Sequence, residues 1–262
     1  MSANPAVPRP ALWQSLAEFR ALFEVMAIVP ARPILDLAPE GEGQPVLVFP
    51  GFFAADRSTA RLRKYLNSKG FVAYSWDEGR NPGISEDLYL RLQARVEELA
   101  ESHGRAVSLV GWSLGGIYAR LIAHRVPASV RQVITLGSPF KLNEYGAISG
   151  AVARLYERMN PNQQDDPMLA HESTWRQPPP VPSTAIYSEG DGVAHWSYCI
   201  DHDEDEHTEN LQVPGSHLGM THNPLMLYAV ADRLAQPEGN WQPFRWRSHL
   251  RQVMDRGRRA LI

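Results

Sequence analysis

The sequence has 262 residues, of which 44% are hydrophobic, and a formal net charge of −3 at pH 7. This length is enough to bury one large core and does not require a second domain. The net charge is slightly negative, whereas nucleic-acid-binding proteins use an excess of positive charge to neutralise phosphates. We therefore expect no nucleic-acid partner. The single cysteine, Cys199, excludes an internal disulfide and a Cys/His zinc cage.

Residues 1–44 are predicted to form an amphipathic helix and a linker. The start of the chain lacks the basic and apolar stretches of a secretion signal, so we expect a cytoplasmic protein. Apolar side chains then recur at helical spacing, but Glu18, Arg20 and Glu24 interrupt them, and the segment is not apolar enough to span a bilayer. A helix packed on the body of the domain is favoured over an interfacial membrane anchor.

From Pro45 onwards, short apolar runs alternate with longer amphipathic segments. This pattern is typical of an α/β domain with a mostly parallel sheet flanked by helices. The clearest predicted helix begins after Ser85, which is a suitable N-cap, and ends at Gly104. The predicted strands are 46–49, 71–74, 107–110, 130–136, 183–187 and 211–213, and the other predicted helices are 59–68, 114–124, 148–159 and 223–234.

The alternation is interrupted after the fourth predicted strand. Residues 140–182 contain one predicted helix followed by sequence rich in Asn, Gln, Asp and Pro. An insertion of this length at the carboxyl side of a parallel sheet is where a cap or lid would lie. The predicted division is therefore a core at 45–139 and 183–235 with a cap or lid insertion at 140–182.

Residues 236–262 form a basic, amphipathic tail. Six arginines and one aspartate occur between Trp241 and Ile262, with aromatic and aliphatic residues between them. Peripheral contact with an anionic membrane surface, or with an acidic partner, is one interpretation. A helix docked on the body, with its arginines in water, is the favoured one.

The segment Gly111-Trp112-Ser113-Leu114-Gly115 matches the pattern Gly-x-Ser-x-Gly. It lies between a predicted buried strand and a predicted helix, and this is the context in which the serine hydroxyl is exposed on a sharp turn at the sheet edge. Small residues are needed on both sides because such a turn crowds the backbone. The pattern predicts Ser113 as a nucleophile.

A serine hydroxyl needs a base to remove its proton, and that base needs a carboxylate to orient it. His217 is the preferred base because it follows the last predicted strand on the tight run Pro214-Gly215-Ser216. His222 is the rival, although it stands just before the predicted closing helix. Asp191 follows the fifth predicted strand through Ser188-Glu189-Gly190 and is the predicted third member.

Two backbone N–H groups are needed to bind the oxyanion that forms during acyl transfer. Leu114, the residue after the predicted nucleophile, supplies one. Phe52 supplies the other from the loop after the first strand. The side chains of Phe52, Phe53 and Trp112 are predicted to bind the acyl part of a substrate.

The acidic run from Asp201 to Glu206, with His202 and His207, allows two interpretations. It could bind a cation, but its spacing matches no closed metal motif, so a solvated loop is favoured. We therefore predict no metal site.

These motifs resemble the α/β-hydrolase superfamily, and more closely its lipase-like bacterial branch related to inositol deacylases, over about residues 45–234. The resemblance is in the chain order Ser113, Asp191, His217 and in several short motifs. Pro50, where many lipases have His, and Ala194-His195, where aliphatic residues are usual, depart from the family pattern. The motifs are Phe49-Pro50-Gly51-Phe52, Gly79-Arg80-Asn81, Gly111-Trp112-Ser113-Leu114-Gly115-Gly116, Leu136-Gly137-Ser138-Pro139, Ser188-Glu189-Gly190-Asp191-Gly192 and Gly215-Ser216-His217-Leu218-Gly219.

The resemblance implies an α/β-hydrolase fold and hydrolysis of a carboxylic ester through an acyl-enzyme, with no metal or cofactor. The expected substrate is a small-molecule or lipid-like ester, and no obligate protein partner is inferred. The same site could pass the acyl group to another acceptor, which would make the protein an acyltransferase. A non-catalytic binding module with this fold is the least favoured alternative.

Overall fold

The computed structural model describes residues 9–141, 148–202 and 206–245. The strands are β1 (Pro45–Phe49), β2 (Val72–Ser75), β3 (Val107–Trp112), β4 (Val130–Leu136), β5 (Ser183–Tyr187) and β6 (Thr208–Gln212). The α-helices are α1 (Leu12–Ala17), α2 (Ala21–Met26), α3 (Ile28–Asp36), α4 (Asp56–Ser68), α5 (Glu86–His103), α6 (Leu114–Arg125), α7 (Gly150–Met159), α8 (Glu172–Trp175) and α9 (Pro224–Leu234). Short 3-10 helices cover Glu18–Arg20, Pro127–Ser129, Gln163–Asp165, Pro167–His171 and Trp196–Tyr198.

The strands of the described residues form one six-stranded sheet in the order β2-β1-β3-β4-β5-β6, and every neighbouring pair is parallel. Successive side chains of a strand point to opposite faces. Leu47 and Phe49 of β1 therefore pack with α5 and α6 on one face, whereas Val46 and Val48 pack with α4 and α9 on the other. This is the α/β-hydrolase fold that the motifs predicted.

Helix α5 confirms the sequence signals at both of its ends. The Ser85 hydroxyl accepts a hydrogen bond from the backbone N–H of Leu88 (3.4 Å), and Gly104 ends the helix in the left-handed conformation with φ 60°. An N-cap acceptor and a left-handed C-terminal glycine satisfy backbone groups that a helix leaves unpaired.

The last strand differs from its prediction because β6 begins at Thr208 rather than at residue 211. Its first two residues, Thr208 and Glu209, are polar yet buried. Glu209 accepts hydrogen bonds from Thr184 Oγ1 (2.9 Å), from Arg233 (2.8 Å) and from the backbone N–H of Phe244 (2.7 Å). Apolar patterning does not detect the start of a strand whose buried side chains are polar.

The N-terminal segment, residues 11–36, is divided into α1, a 3-10 turn, α2 and α3 rather than forming one helix. Its amphipathicity is inverted relative to the expectation for a helix packed on a core. Phe19 is 83% exposed, whereas Glu18 is only 6% exposed. Residues 11–26 pack on the body of the domain through polar side chains, whereas α3 packs on it through the buried Leu35.

The predicted insertion and tail are described in part. Residues 142–147 of the insertion, 203–205 of the acidic run and 246–262 of the tail lie outside the described residues. From residue 241 to residue 245 the tail has no regular secondary structure, and Phe244 is buried. No helix in the described part of the chain has both the length and the apolar character needed to cross a membrane.

Candidate functional site

Ser113 occupies the sharp turn between β3 and α6 at the centre of the sheet. Its backbone has φ 53° and ψ −124°, a conformation that residues other than glycine rarely adopt. The flanking glycines allow close packing: a Cβ atom on Gly111 would lie 2.4 Å from Gly116 Cα, and one on Gly115 would lie 2.6 Å from the carbonyl oxygen of Phe49. The motif therefore forms the strained strand-to-helix turn that the sequence predicted.

The loop after β1 lies directly against this turn. A Cβ atom on Gly51 would lie 3.0 Å from the Cβ atom of Ser113, so a side chain at position 51 would crowd the serine. Asn81, which is fully buried, holds the loop in place. Its side-chain Nδ2 donates to the carbonyl oxygen of Pro50 (2.9 Å), and its backbone carbonyl accepts from the N–H of Phe53 (2.9 Å). The Gly79-Arg80-Asn81 motif thus supports the loop that carries Phe52.

His217 and Asp191 form a buried pair. His217 Nδ1 lies 2.6 Å from Asp191 Oδ2, and the exposed fractions of the two side chains are 3% and 1%. The other carboxylate oxygen of Asp191 accepts hydrogen bonds from the N–H groups of Val193 and Ala194, both at 2.8 Å. The carboxylate is therefore fixed at both oxygens, and it holds His217 by one ring nitrogen.

Trp112 connects this pair to the serine turn. Its Nε1 donates to the carbonyl oxygen of His217 (3.1 Å), and the two rings lie 5.7 Å apart at their centroids. Trp112 was predicted to bind substrate, but it is buried against His217 and is not part of the cavity lining described below. Its side chain points to the face of the sheet opposite the cavity because strand residues alternate in direction.

Glu18 is a member of the site that sequence reasoning missed. Its carboxylate accepts hydrogen bonds from the backbone N–H groups of Gly192 (2.8 Å), His217 (2.9 Å) and Leu218 (2.9 Å). The residue therefore connects the loop that carries Asp191 to the loop that carries His217. No local signal identifies this role, because 174 to 200 positions separate Glu18 from its partners.

Neighbouring polar residues of the N-terminal segment bind the same two loops. Ser15 donates to the carbonyl oxygen of Gly192 (2.7 Å). Arg20 donates to the carbonyl oxygens of Gly190 (2.5 Å) and Gly215 (2.7 Å). Glu24 accepts from the N–H of Ser216 (2.8 Å). The inward face of this segment is thus polar because it supplies partners to loop backbone.

The electrostatic surroundings distinguish His217 from the other histidines near the site. Burial acts to lower the pKa of His217, but the charge and hydrogen bond of Asp191, with the charge of Glu18, prevail and raise it above the ordinary 6.5. Burial lowers the pKa of His222 and of His195. Nδ1 of His222 is buried, and no described group hydrogen-bonds to it. The Asp191 carboxylate thus has His217 as its imidazole partner, and not the alternative base His222.

A cavity of about 300 Å³ opens beside Ser113, a volume at the lower end of the range for small-molecule sites. Phe52 and Leu114 line it together with residues of α7 and α8, and most of the lining is apolar. Phe53 was predicted to bind substrate but lies outside this lining. Its backbone has φ 59°, and its ring stacks under the guanidinium of Arg80 at 4.2 Å. The turn at Phe53 directs its ring to the surface.

The acidic run after β5 is neither a wholly solvated loop nor a cluster of cation ligands in its described part. Asp201 is buried and forms a bidentate salt bridge with Arg120, in which the two guanidinium nitrogens lie 2.8 and 2.9 Å from the two carboxylate oxygens. Arg120 also donates to the carbonyl oxygens of Trp175 and Gln177, both at 2.6 Å. No group of three or more His, Cys, Asp or Glu side chains within the described ranges could hold a metal ion.

Comparisons with known proteins agree with this fold. A model described as the alpha/beta hydrolase family matches residues 46–261. No curated protein matches the sequence. Solved structures that resemble the chain include Aspergillus fumigatus lipase B, with a TM-score of 0.57 and 15% identity over 78% of this chain and 55% of that one. The chain thus spans little more than half of that lipase.

Two further structures are similar over nearly their whole length. A structure from the metagenome-derived lipolytic enzymes LipS and LipT has a TM-score of 0.55 and 14% identity over 74% of this chain and 94% of that one. Bacillus licheniformis lipase BlEst2 has a TM-score of 0.55 and 16% identity over 75% of this chain and 94% of that one. At these identities the likeness shows the fold alone.

Proposed function

The chain belongs to the alpha/beta hydrolase family, and on that premise we propose that it hydrolyses carboxylic esters through Ser113, His217 and Asp191. The observation that carries this proposal is the placement of Ser113 on a strained turn at an apolar cavity, directly after Trp112, whose indole donates to the backbone of the buried His217–Asp191 pair. Function is argued from such a site rather than from the fold.

In the first half of the reaction, Ser113 Oγ attacks the ester carbonyl carbon while His217 Nε2 takes the hydroxyl proton. Nδ1 is held by Asp191, which fixes the tautomer and stabilises the imidazolium that forms. The C–O bond of the ester then breaks, and the leaving alcohol takes the proton from His217. This step leaves an acyl group on Ser113.

In the second half, water attacks the acyl-enzyme and gives a proton to His217, which returns it to Ser113 as the acid leaves. Both tetrahedral intermediates carry an oxyanion that needs hydrogen-bond donors. We assign this role to the backbone N–H groups of Phe52 and Leu114, since both residues line the cavity beside Ser113 and no described group accepts a hydrogen bond from either amide.

The cavity supports an ester with an apolar acyl chain. Its walls include Ile117, Val152 and Trp175, and charged side chains are nearly absent from it. Burial of apolar surface contributes about 25 cal/mol per Å² to binding, so such walls favour aliphatic chains over polar ones. The structural neighbours include proteins named as lipases, which is in keeping with a lipid-like ester.

A fluorophosphonate probe tests the proposal, because it reacts with a serine hydroxyl only when a base activates it. Peptide mapping is expected to find the label on Ser113. His217→Ala should suppress labelling, and the control His222→Ala should not. Labelling that survives His217→Ala but is lost in His222→Ala would reverse the assignment, and an unlabelled Ser113 would exclude the proposed nucleophile.

A further inference from the structure

We propose that Glu18 is a positioning residue for the reaction, whose carboxylate fixes the relative placement of the loops that carry Asp191 and His217. This inference rests on the proposed roles of those two residues. Its basis is geometric: one buried carboxylate accepts three hydrogen bonds of 2.8 to 2.9 Å, one from the Asp191 loop and two from the His217 loop.

The arrangement has an energetic reason. A loop that turns back into the protein leaves backbone N–H groups without secondary-structure partners, and burying them unpaired is costly. The N–H groups of His217, Leu218 and Gly192 are satisfied by Glu18 alone among the described contacts. Hydrogen bonds to an ionised acceptor are also stronger than neutral ones. The two loops are therefore coupled through one side chain.

The charge of Glu18 acts on His217 as well. The charged groups near this imidazole are Asp191 on the loop after β5, Glu18 on the 3-10 turn, and Glu24 and Arg20 at the backbone of the His217 loop. Among them, Asp191 and Glu18 raise the pKa of His217. Removal of the Glu18 charge should therefore lower that pKa, whereas a purely structural contact would leave it unchanged.

The test compares Glu18→Gln, Glu18→Asp and the control Asp36→Asn, which removes an exposed carboxylate from the same segment. For each variant, the rate of fluorophosphonate labelling of Ser113 is measured across pH, together with the thermal midpoint. Misplacement of catalytic groups by about 1 Å costs up to about 100-fold in rate, so both Glu18 variants should label about 10- to 100-fold more slowly.

The acid limb of the rate profile separates charge from position. Glu18→Gln should shift this limb to lower pH, whereas Glu18→Asp, which keeps the charge, and the control Asp36→Asn should not. If Glu18→Gln does not fold, the slower labelling of Glu18→Asp still tests the positioning role. A folded Glu18→Gln with the parent rate and acid limb overturns the inference. A parent protein that is not labelled at Ser113 instead overturns the proposed function.

A second inference comes from the outward face of the same segment. We propose that this face binds the surface of a phospholipid bilayer. Nine large apolar side chains, each between 50% and 83% exposed, form a strip along it, and contiguous exposed apolar patches usually mark an interaction site. The strip consists of Leu12, Trp13, Leu16, Phe19, Leu22, Phe23, Met26, Val29 and Ile34.

Charge and size favour a bilayer as the occupant of this apolar strip. Of the four charged residues between Leu12 and Ile34, three bind the body of the protein, namely Glu18, Arg20 and Glu24. The fourth, Arg32, is exposed, as is Arg9 just before the strip. Interfacial helices bury an apolar face and keep cations at the level of the lipid phosphates. A stable protein interface takes about 20–30 residues from each side, and the strip is too narrow for this.

Flotation with vesicles of phosphatidylcholine, alone or mixed with phosphatidylglycerol, tests the bilayer assignment. The full chain should float with both vesicles, and more strongly with the anionic ones. Phe19→Ser combined with Phe23→Ser should weaken binding about tenfold or more per side chain. The control Leu90→Ser, at a side chain that is 52% exposed on α5, should not weaken it.

Absence of binding by the full chain overturns this second inference, as does binding that the double variant retains. Sedimentation of the free protein identifies the competing occupant. A dimer that the double variant abolishes, without vesicle binding by the parent, would assign the strip to a second copy of the chain. Neither Phe19 nor Phe23 contributes to the hydrogen bonds of Glu18, so the two inferences are tested separately.

Discussion

Replacement of Asp201 by alanine should destabilise the protein more than most single substitutions do. Asp201 and Arg120 are both fully buried and share two hydrogen bonds. Without the carboxylate, the guanidinium keeps only the carbonyl oxygens of Trp175 and Gln177 and the ring of Phe140, which lies 3.7 Å from it. Removing one partner of a buried pair costs about 3–5 kcal/mol, because the remaining charge stays desolvated.

Urea unfolding followed by circular dichroism measures this loss directly. For a domain of this size, the expected cost corresponds to a fall of about 6–20 °C in the thermal midpoint. Glu206→Ala is the control, since Glu206 belongs to the same acidic run but its side chain is 86% exposed, and it should leave the unfolding midpoint unchanged. Equal effects of the two substitutions would refute the argument that the ion pair, rather than the loop itself, carries the stability.

The remaining predictions concern activity on p-nitrophenyl esters. Because His217 must be neutral to act as a base and its pKa is raised, kcat/KM should fall with decreasing pH from a midpoint above 6.5; a midpoint below that value would contradict the electrostatic analysis. Ser113→Ala should abolish turnover without lowering the thermal midpoint, and turnover near the parent level would remove this residue from the mechanism. Val152→Trp should fill part of the cavity and reduce kcat/KM for octanoyl esters by about tenfold more than for acetyl esters; equal losses would show that α7 does not contact the acyl chain. Gly51→Val should place methyl groups against Ser113 and lower kcat by about tenfold or more, and an unchanged kcat would exclude a role for this loop in catalysis.

The sequence was sufficient to predict the sheet because its strands are short apolar runs with clear boundaries. The prediction of 130–136 and 183–187 matches β4 and β5 at both ends. The turn that carries Ser113 could be predicted equally well from the sequence, since such a turn needs glycines at fixed positions. Such signals are local, and local signals are what a sequence pattern contains.

The features that sequence analysis missed depend on contacts between distant positions. Glu18 was interpreted as an interruption of an apolar helix face, since a charged residue is expected to face water. In the structure it faces inward, because loop N–H groups replace water as its partners. Asp201 was grouped with its acidic neighbours for the same reason, although Arg120 on α6 neutralises it.

The backbone of Ser113 has a consequence for how this protein can change under selection. A conformation with φ 53° and ψ −124° costs a side-chain-bearing residue about 1–3 kcal/mol, and glycine would adopt it with less strain. The chemistry nevertheless needs a hydroxyl at that point. Selection for thermal stability alone would therefore favour glycine at position 113, and selection for turnover would oppose it. The same codon is thus subject to opposed pressures, and gains in heat resistance that preserve turnover should arise at other positions.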